Sequence, residues 1–149
     1  MIMKKRFLAA LAVPALLAAC ASNTDSKPTT AMISQTDLAT FNWVLNKVDG
    51  NELQLAEPFK APNLQLSADL GANGHAGCNR YFGQAELNEG KLRIEKMGMT
   101  MMACPEPAME LERVMSTTLM DWSTATVAGN QLTLTGTEHT LTFTRTEAE

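Results

Sequence analysis

The sequence is short of positive charge. Of its 149 residues only 12 are Lys or Arg, against 16 Asp or Glu, giving a formal net charge of -4 and a pI near 5.2. A nucleic-acid-binding domain of this size normally carries a basic stripe, and none is visible, so nucleic acid is not an expected partner. Long hydrophobic runs are missing too. The longest, Phe7 to Ala19, is 13 residues, whereas a membrane-spanning helix needs about 20. Histidine and cysteine are scarce, with two of the first and three of the second. A zinc site wants about four ligands, and only His75, Cys78 and Cys104 are placed to contribute, so no metal is expected. The chain has no P-loop, no dinucleotide fingerprint and no Ser-His-Asp order. Gly71, Gly74 and Gly77 crowd one segment, but no Lys-Ser/Thr pair and no long helix follow it. No cofactor is therefore expected. What remains is a chain of ordinary apolar content, 45% hydrophobic and 19% charged, long enough for one domain.

The N-terminus reads as an address. Lys4, Lys5 and Arg6 precede the apolar run, whose length suits the core of a secretory signal, and Pro14 disfavours a permanent helix. The run ends Leu16-Leu17-Ala18-Ala19-Cys20, which resembles a bacterial lipobox. That resemblance implies cleavage before Cys20 and lipidation of its thiol; the alternative is ordinary secretion with Cys20 as a passenger. One acyl chain binds membranes only marginally, whereas the three chains of this pathway anchor permanently. Ala21 and Ser22 stand after the cysteine where an Asp would signal retention, which implies the outer membrane with the domain facing the periplasm. Residues 1–19 are thus the expected lipoprotein signal peptide. Residues 20–36, rich in Ser and Thr with Asn, Asp, Lys, Pro and Gln among them, are the expected lipidated cysteine and a flexible tether that buries too little apolar surface to fold. Residues 37–149 are the domain.

Within the domain, Phe41 to Leu45 reads as a first strand and Asp49-Gly50 as a tight turn. Leu64 to Leu66 alternates as a half-buried strand should. The glycine-rich segment 71–77 suggests turns, a bulge or close backbone approach. Tyr81 to Leu87, the turn Asn88-Glu89-Gly90, and the alternating Leu92 and Ile94 form a hairpin. Pro105 to Met120 is the one convincing helix, with Ala108, Leu111, Met115 and Leu119 on one face. Strands over Trp122 to Val127, Leu132 to Leu134 and Leu141 to Thr144 complete the chain. The expected fold is α+β: a single domain with a curved, mostly antiparallel sheet of about seven or eight strands and one packed helix.

Gly77-Cys78-Asn79-Arg80-Tyr81-Phe82-Gly83 and Met99-Thr100-Met101-Met102-Ala103-Cys104-Pro105-Glu106-Pro107 resemble the two signature segments of the META domain family, which includes the HslJ-type heat-inducible bacterial lipoproteins. Trp43-Val44-Leu45 before Asp49-Gly50, and Asn130 to Leu134, also fit, so the resemblance spans about residues 37–145. It implies a barrel-like sheet with one helix, association with heat or envelope stress, and novobiocin tolerance. It implies no catalytic activity.

Several residues are candidates for chemistry. Once Cys20 carries lipid, Cys78 and Cys104 form an even pair, for which a disulfide is the default in an oxidising compartment. Two free thiols are the rival; a redox-active pair lacks the Cys-x-x-Cys spacing. Asn79, Arg80 and Tyr81 form the most distinctive polar cluster. Arg80 offers a planar fork for a carboxylate or phosphate, or, alternatively, Asn79 satisfies turn amides and Arg80 pairs with an acid. Met97, Met99, Met101 and Met102 either line a surface for acyl chains, drug rings or a protein partner, or alternate into the core. His75 and His139 read as solvated turn residues. The resulting expectation is a non-catalytic, outer-membrane-anchored lipoprotein acting through an envelope protein partner, with a small hydrophobic ligand in a Met-rich pocket as the alternative.

Overall fold

The computed structural model describes residues 32–147, so the expected signal peptide, Cys20 and most of the expected tether lie outside the described residues. A single helical turn, α1 (Gln35–Leu38), opens the domain. Ser34 caps it, with its backbone N–H and its hydroxyl both donating to the Asp37 carboxylate. Nine strands follow, with one longer helix between the sixth and seventh: β1 (Phe41–Val48), β2 (Asn51–Glu52), β3 (Asn63–Leu66), β4 (Gly71–His75), β5 (Arg80–Asn88), β6 (Lys91–Met99), α2 (Ala108–Met120), β7 (Ser123–Ala128), β8 (Gln131–Thr135) and β9 (Thr140–Glu147). Every strand pairs antiparallel with its neighbours. β1 pairs with β3 on one side and β9 on the other, closing eight strands into a barrel, while the two-residue β2 folds back on the far end of β1.

The barrel closes because its strands alternate. Trp43 and Leu45 on β1, Leu64 and Leu66 on β3, Leu92 and Ile94 on β6, Leu132 and Leu134 on β8, and Leu141 and Phe143 on β9 all point inward and are buried. Burying each large apolar side chain contributes about 1.5–3 kcal/mol before chain entropy is counted. The inward side chains form one packed core, as an eight-strand barrel is narrow enough to allow. α1 seals one end: Leu38 is fully buried and its carbonyl accepts the Trp43 indole N–H at 2.9 Å. β6 and β7 pair only at Lys91 and Leu92, leaving the rest of that seam unpaired. α2 packs chiefly against β6 and sends Leu111, Val114, Met115 and Leu119 into the core.

One expectation narrows and one is corrected. The glycine segment is mostly strand, β4 running Gly71–His75, with the expected close backbone approach at Gly74 and a turn at Gly77. Its glycines serve packing more than turning: a Cβ on Gly74 would lie 2.1 Å from the Asn63 carbonyl oxygen and 2.8 Å from the Tyr81 hydroxyl. The helix begins at Ala108, three residues after Pro105, with Pro107 as its N-cap.

Candidate functional site

The two signature segments meet at one corner of the barrel. The β4–β5 turn is closed by the Ala76 N–H donating to the Asn79 carbonyl at 2.8 Å. Gly77 has φ +131, and a Cβ there would come within 2.8 Å of the Ala108 carbonyl oxygen. Only glycine lets the turn lie this close to α2. Next to it Cys78 is joined to Cys104 by a disulfide, with the two Cα atoms 5.9 Å apart. The bridge ties the start of β5 to the loop that leads from β6 into α2.

Asn79 is the centre of this corner and is only 2% exposed. Its amide nitrogen donates to the Met102 carbonyl at 3.0 Å and to Glu112 Oε1 at 2.9 Å. Its oxygen accepts from the Met102 N–H at 2.7 Å and from the Thr100 hydroxyl at 2.9 Å. Glu112 Oε2 in turn accepts the backbone N–H groups of Cys78 at 3.2 Å and Asn79 at 2.6 Å. Thr100 completes the set: its hydroxyl accepts the Arg80 N–H at 3.1 Å and its own N–H donates to the Arg80 carbonyl at 3.0 Å. One amide and one carboxylate thus hold a turn, a loop and a helix together. All four hydrogen-bonding positions of the Asn79 amide are filled within the protein. The cluster is built as a clamp, and its valences are spent internally.

The seven expected surface residues separate by burial. Asn79 takes the internal role just described. Tyr81 is also buried, its hydroxyl donating to the Asn63 carbonyl at 2.7 Å, and burial pushes the phenol's pKa up. Neither presents a surface. Arg80 is exposed and, among the described residues, makes no ion pair, so the expected acid partner is not there. Met97 and Met99 pack against the core from β6. Met101 and Met102 lie in the following loop and are 96% and 58% exposed. Phe82, which sequence reasoning passed over, is 63% exposed, its ring lying across Gly98 on the neighbouring strand.

The histidines also differ from expectation. His75 ends β4, half-buried, and accepts the Gly77 N–H at 3.3 Å. His139 is paired: its Nδ1 lies 2.8 Å from Asp49 Oδ2, and Asp49 Oδ1 accepts the Thr140 N–H at 2.8 Å. These bonds hold the Asp49 carboxyl below the usual range, the His139 hydrogen bond first. Among the described residues no group of three His, Cys, Asp or Glu side chains is arranged to hold a metal.

Clefts flank the barrel wall. One of about 200 Å³ beside the disulfide is lined by Pro58, Phe59, Lys60, His75, Gly77, Cys78 and Cys104. A wider one of about 470 Å³, open to solvent, lies between the end of β1 and the loop after β2, lined by Leu45, Asn46, Leu53, Leu55 and Phe59 among others. Neither is lined by a methionine.

A closed eight-strand antiparallel barrel, carrying a single long helix fastened by a disulfide and a buried Asn-Glu clamp, defines the class of this domain. The META domain family model matches residues 36–148, and the chain belongs to that family. It is 28% identical over 140 residues to heat shock protein HslJ of Escherichia coli (strain K12), covering 93% of this chain and 94% of that one. Among solved structures, one determined by NMR shares 28% identity with a TM-score of 0.66, over 76% of this chain and 95% of its own. A second NMR structure, of a protein from Burkholderia xenovorans, shares 26% identity with a TM-score of 0.64 and covers 99% of this chain and 100% of its own.

Proposed function

We propose that this chain is a lipoprotein anchored through Cys20 in the outer membrane, its META domain facing the periplasm and acting by binding, without turnover. Its role is to support the envelope under heat or drug stress, novobiocin-type compounds included, through contact with an envelope component. The observation that carries the binding part of this reading is the saturated corner. Its most distinctive polar residues, Asn79 and Glu112, are consumed in holding the fold. The large apolar side chains that the signature segments expose are Phe82, Met101 and Met102, with Arg80, Thr100 and Glu106 exposed beside them in the sequence. The kinship with a protein named for heat shock supports the stress assignment. The lipobox-like Leu16 to Cys20 supports the anchor. The Met-rich pocket is the weaker alternative, because Met97 and Met99 pack half-buried against the core and the two clefts described above are lined by other residues.

The test is complementation of a deletion strain. The unaltered chain restores heat and novobiocin tolerance and fractionates with outer membrane. Cys20→Ser moves the protein to the soluble periplasm and loses the complementation. Full complementation by a soluble Cys20→Ser form would overturn the anchored reading.

A further inference from the structure

Five large apolar side chains are strongly exposed among the described residues, and three of them, Phe82, Met101 and Met102, belong to β5 and to the loop leaving the strand paired with it. Phe82 projects outward from β5, two residues along the same face from Arg80. Its partner across the sheet is Gly98, and Arg80 is hydrogen-bonded to Thr100, so the Met101 and Met102 loop leaves β6 beside this pair. The result is a small apolar cluster holding one guanidinium that makes no ion pair among the described residues, on a chain that is acidic overall.

We propose that this cluster is the face with which the domain rests on the lipid bilayer that anchors it, Met101, Met102 and Phe82 entering the interfacial region and Arg80 meeting lipid phosphates. The proposal rests on the anchored reading above. Size argues for it. A stable protein interface uses about 20–30 residues a side, far more than this cluster supplies. A tethered domain needs far less, because the anchor provides the local concentration. The chain from Ala21 to Ala31 can extend at most about 40 Å, comparable to the length of the nine-residue β5 and β6, so every face of the domain can reach the membrane. The chemistry fits as well. Methionine is flexible and apolar, and an arginine can bury its stem while its head stays at the phosphate level. The chain is acidic overall, so at an anionic surface a face that joins a cation to apolar side chains is favoured over the acidic faces.

The test couples the mature chain, beginning at Cys20, through that thiol to a maleimide lipid in phosphatidylethanolamine–phosphatidylglycerol vesicles carrying brominated acyl chains. A Met101→Trp variant reports contact by quenching. The expected result is loss of most of the emission that the introduced indole adds over the unsubstituted chain, and its recovery in Met101→Trp/Met102→Ser or with Arg80→Glu. Met102→Ser changes an exposed side chain, and an unchanged melting curve shows that it leaves the fold intact. No quenching while tethered overturns the proposal, as does quenching indifferent to Met102 and Arg80. A photo-crosslinker at position 101 that captures a protein in cells, and no lipid, overturns it also. The maleimide supplies the anchor chemically, so an unlipidated native Cys20 would refute the anchored reading separately from this contact.

Discussion

Asn79 and Arg80 are neighbours in the chain and opposites in their work. Asn79 makes four side-chain hydrogen bonds in a buried site, and Arg80 projects into solvent. Removing a buried hub leaves its partners unsatisfied, at about 1–3 kcal/mol for each such group. Asn79→Ala is therefore expected to cost at least about 2 kcal/mol in urea unfolding, whereas Arg80→Ala stays within about 0.5 kcal/mol. Equal effects would contradict the clamp. Glu112 was not legible beforehand. An acid between Leu111 and Val114 on a helix reads as solvent-facing until the turn amides of Cys78 and Asn79 are known to point at it. Asp49 and His139 were invisible as a pair for the same reason, because they meet only through the β1–β9 pairing. The Asp49 carboxyl is held low in the folded state, so its contribution is present above its ordinary value near 4 and is lost as pH falls through its folded value. Asp37 and Asp69 are lowered too, by the hydroxyls of Ser34 and Ser67. Asp49→Asn, which tolerates the same positive φ, is expected to lower stability at neutral pH, where the charged carboxylate contributes, and to converge on the parent in acid, flattening the profile below pH of about 4. A profile parallel to the parent's in acid urea titrations would count against the pairing.

At the scale of elements, the strands were legible because each buries one face and exposes the other. Leu132-Thr133-Leu134 and Leu141-Thr142-Phe143 announce both the strands and their inward sides. β4 was not, because its inward residues are Ala72 and Gly74, whose smallness carries no hydrophobic signal. That smallness is required by Tyr81, which occupies the space a side chain at 74 would need. Gly74→Ala is expected to destabilise by about 1–3 kcal/mol through backbone displacement, read by thermal melting. The disulfide acts between elements. It spans 26 positions and joins β5 to the loop entering α2. Loop-closure entropy gives it about 3 kcal/mol. Cys78→Ala/Cys104→Ala is expected to lower Tm by about 10 °C while the far-UV spectrum keeps its β character, since the barrel closes through β1 and β9 without it. An unchanged Tm would show that the Asn79–Glu112 clamp alone fastens the helix.

For the whole molecule, pairing of β1 with β9 removes the edges those two strands would otherwise offer to other chains, and α2 packs against β6 where the β6–β7 seam is unpaired. Side chains on the barrel wall, the loops and the helix are then the main means of contact with the outside. The apolar corner at Phe82, Met101 and Met102 is one such place. Its location was half legible: the methionine run stood out, but strict alternation from Leu92 and Ile94 would turn Met97 and Met99 outward, and only the irregularity in β6 at Lys96, where φ is +53, packs them against the core and leaves the loop pair outside. Net acidity and the lipobox-like N-terminus belong to this scale too, and both bear on the proposed lipid anchorage. The most direct measurement is mass spectrometry of the protein extracted from membranes of its host, on both the intact chain and its N-terminal peptide. The predicted result is a chain beginning at Cys20 that carries diacylglyceryl and an N-linked acyl group, with Cys78 and Cys104 together two hydrogens lighter than a pair of thiols. A chain that retains Met1, or that is cut elsewhere and bears an unmodified Cys20, would contradict it.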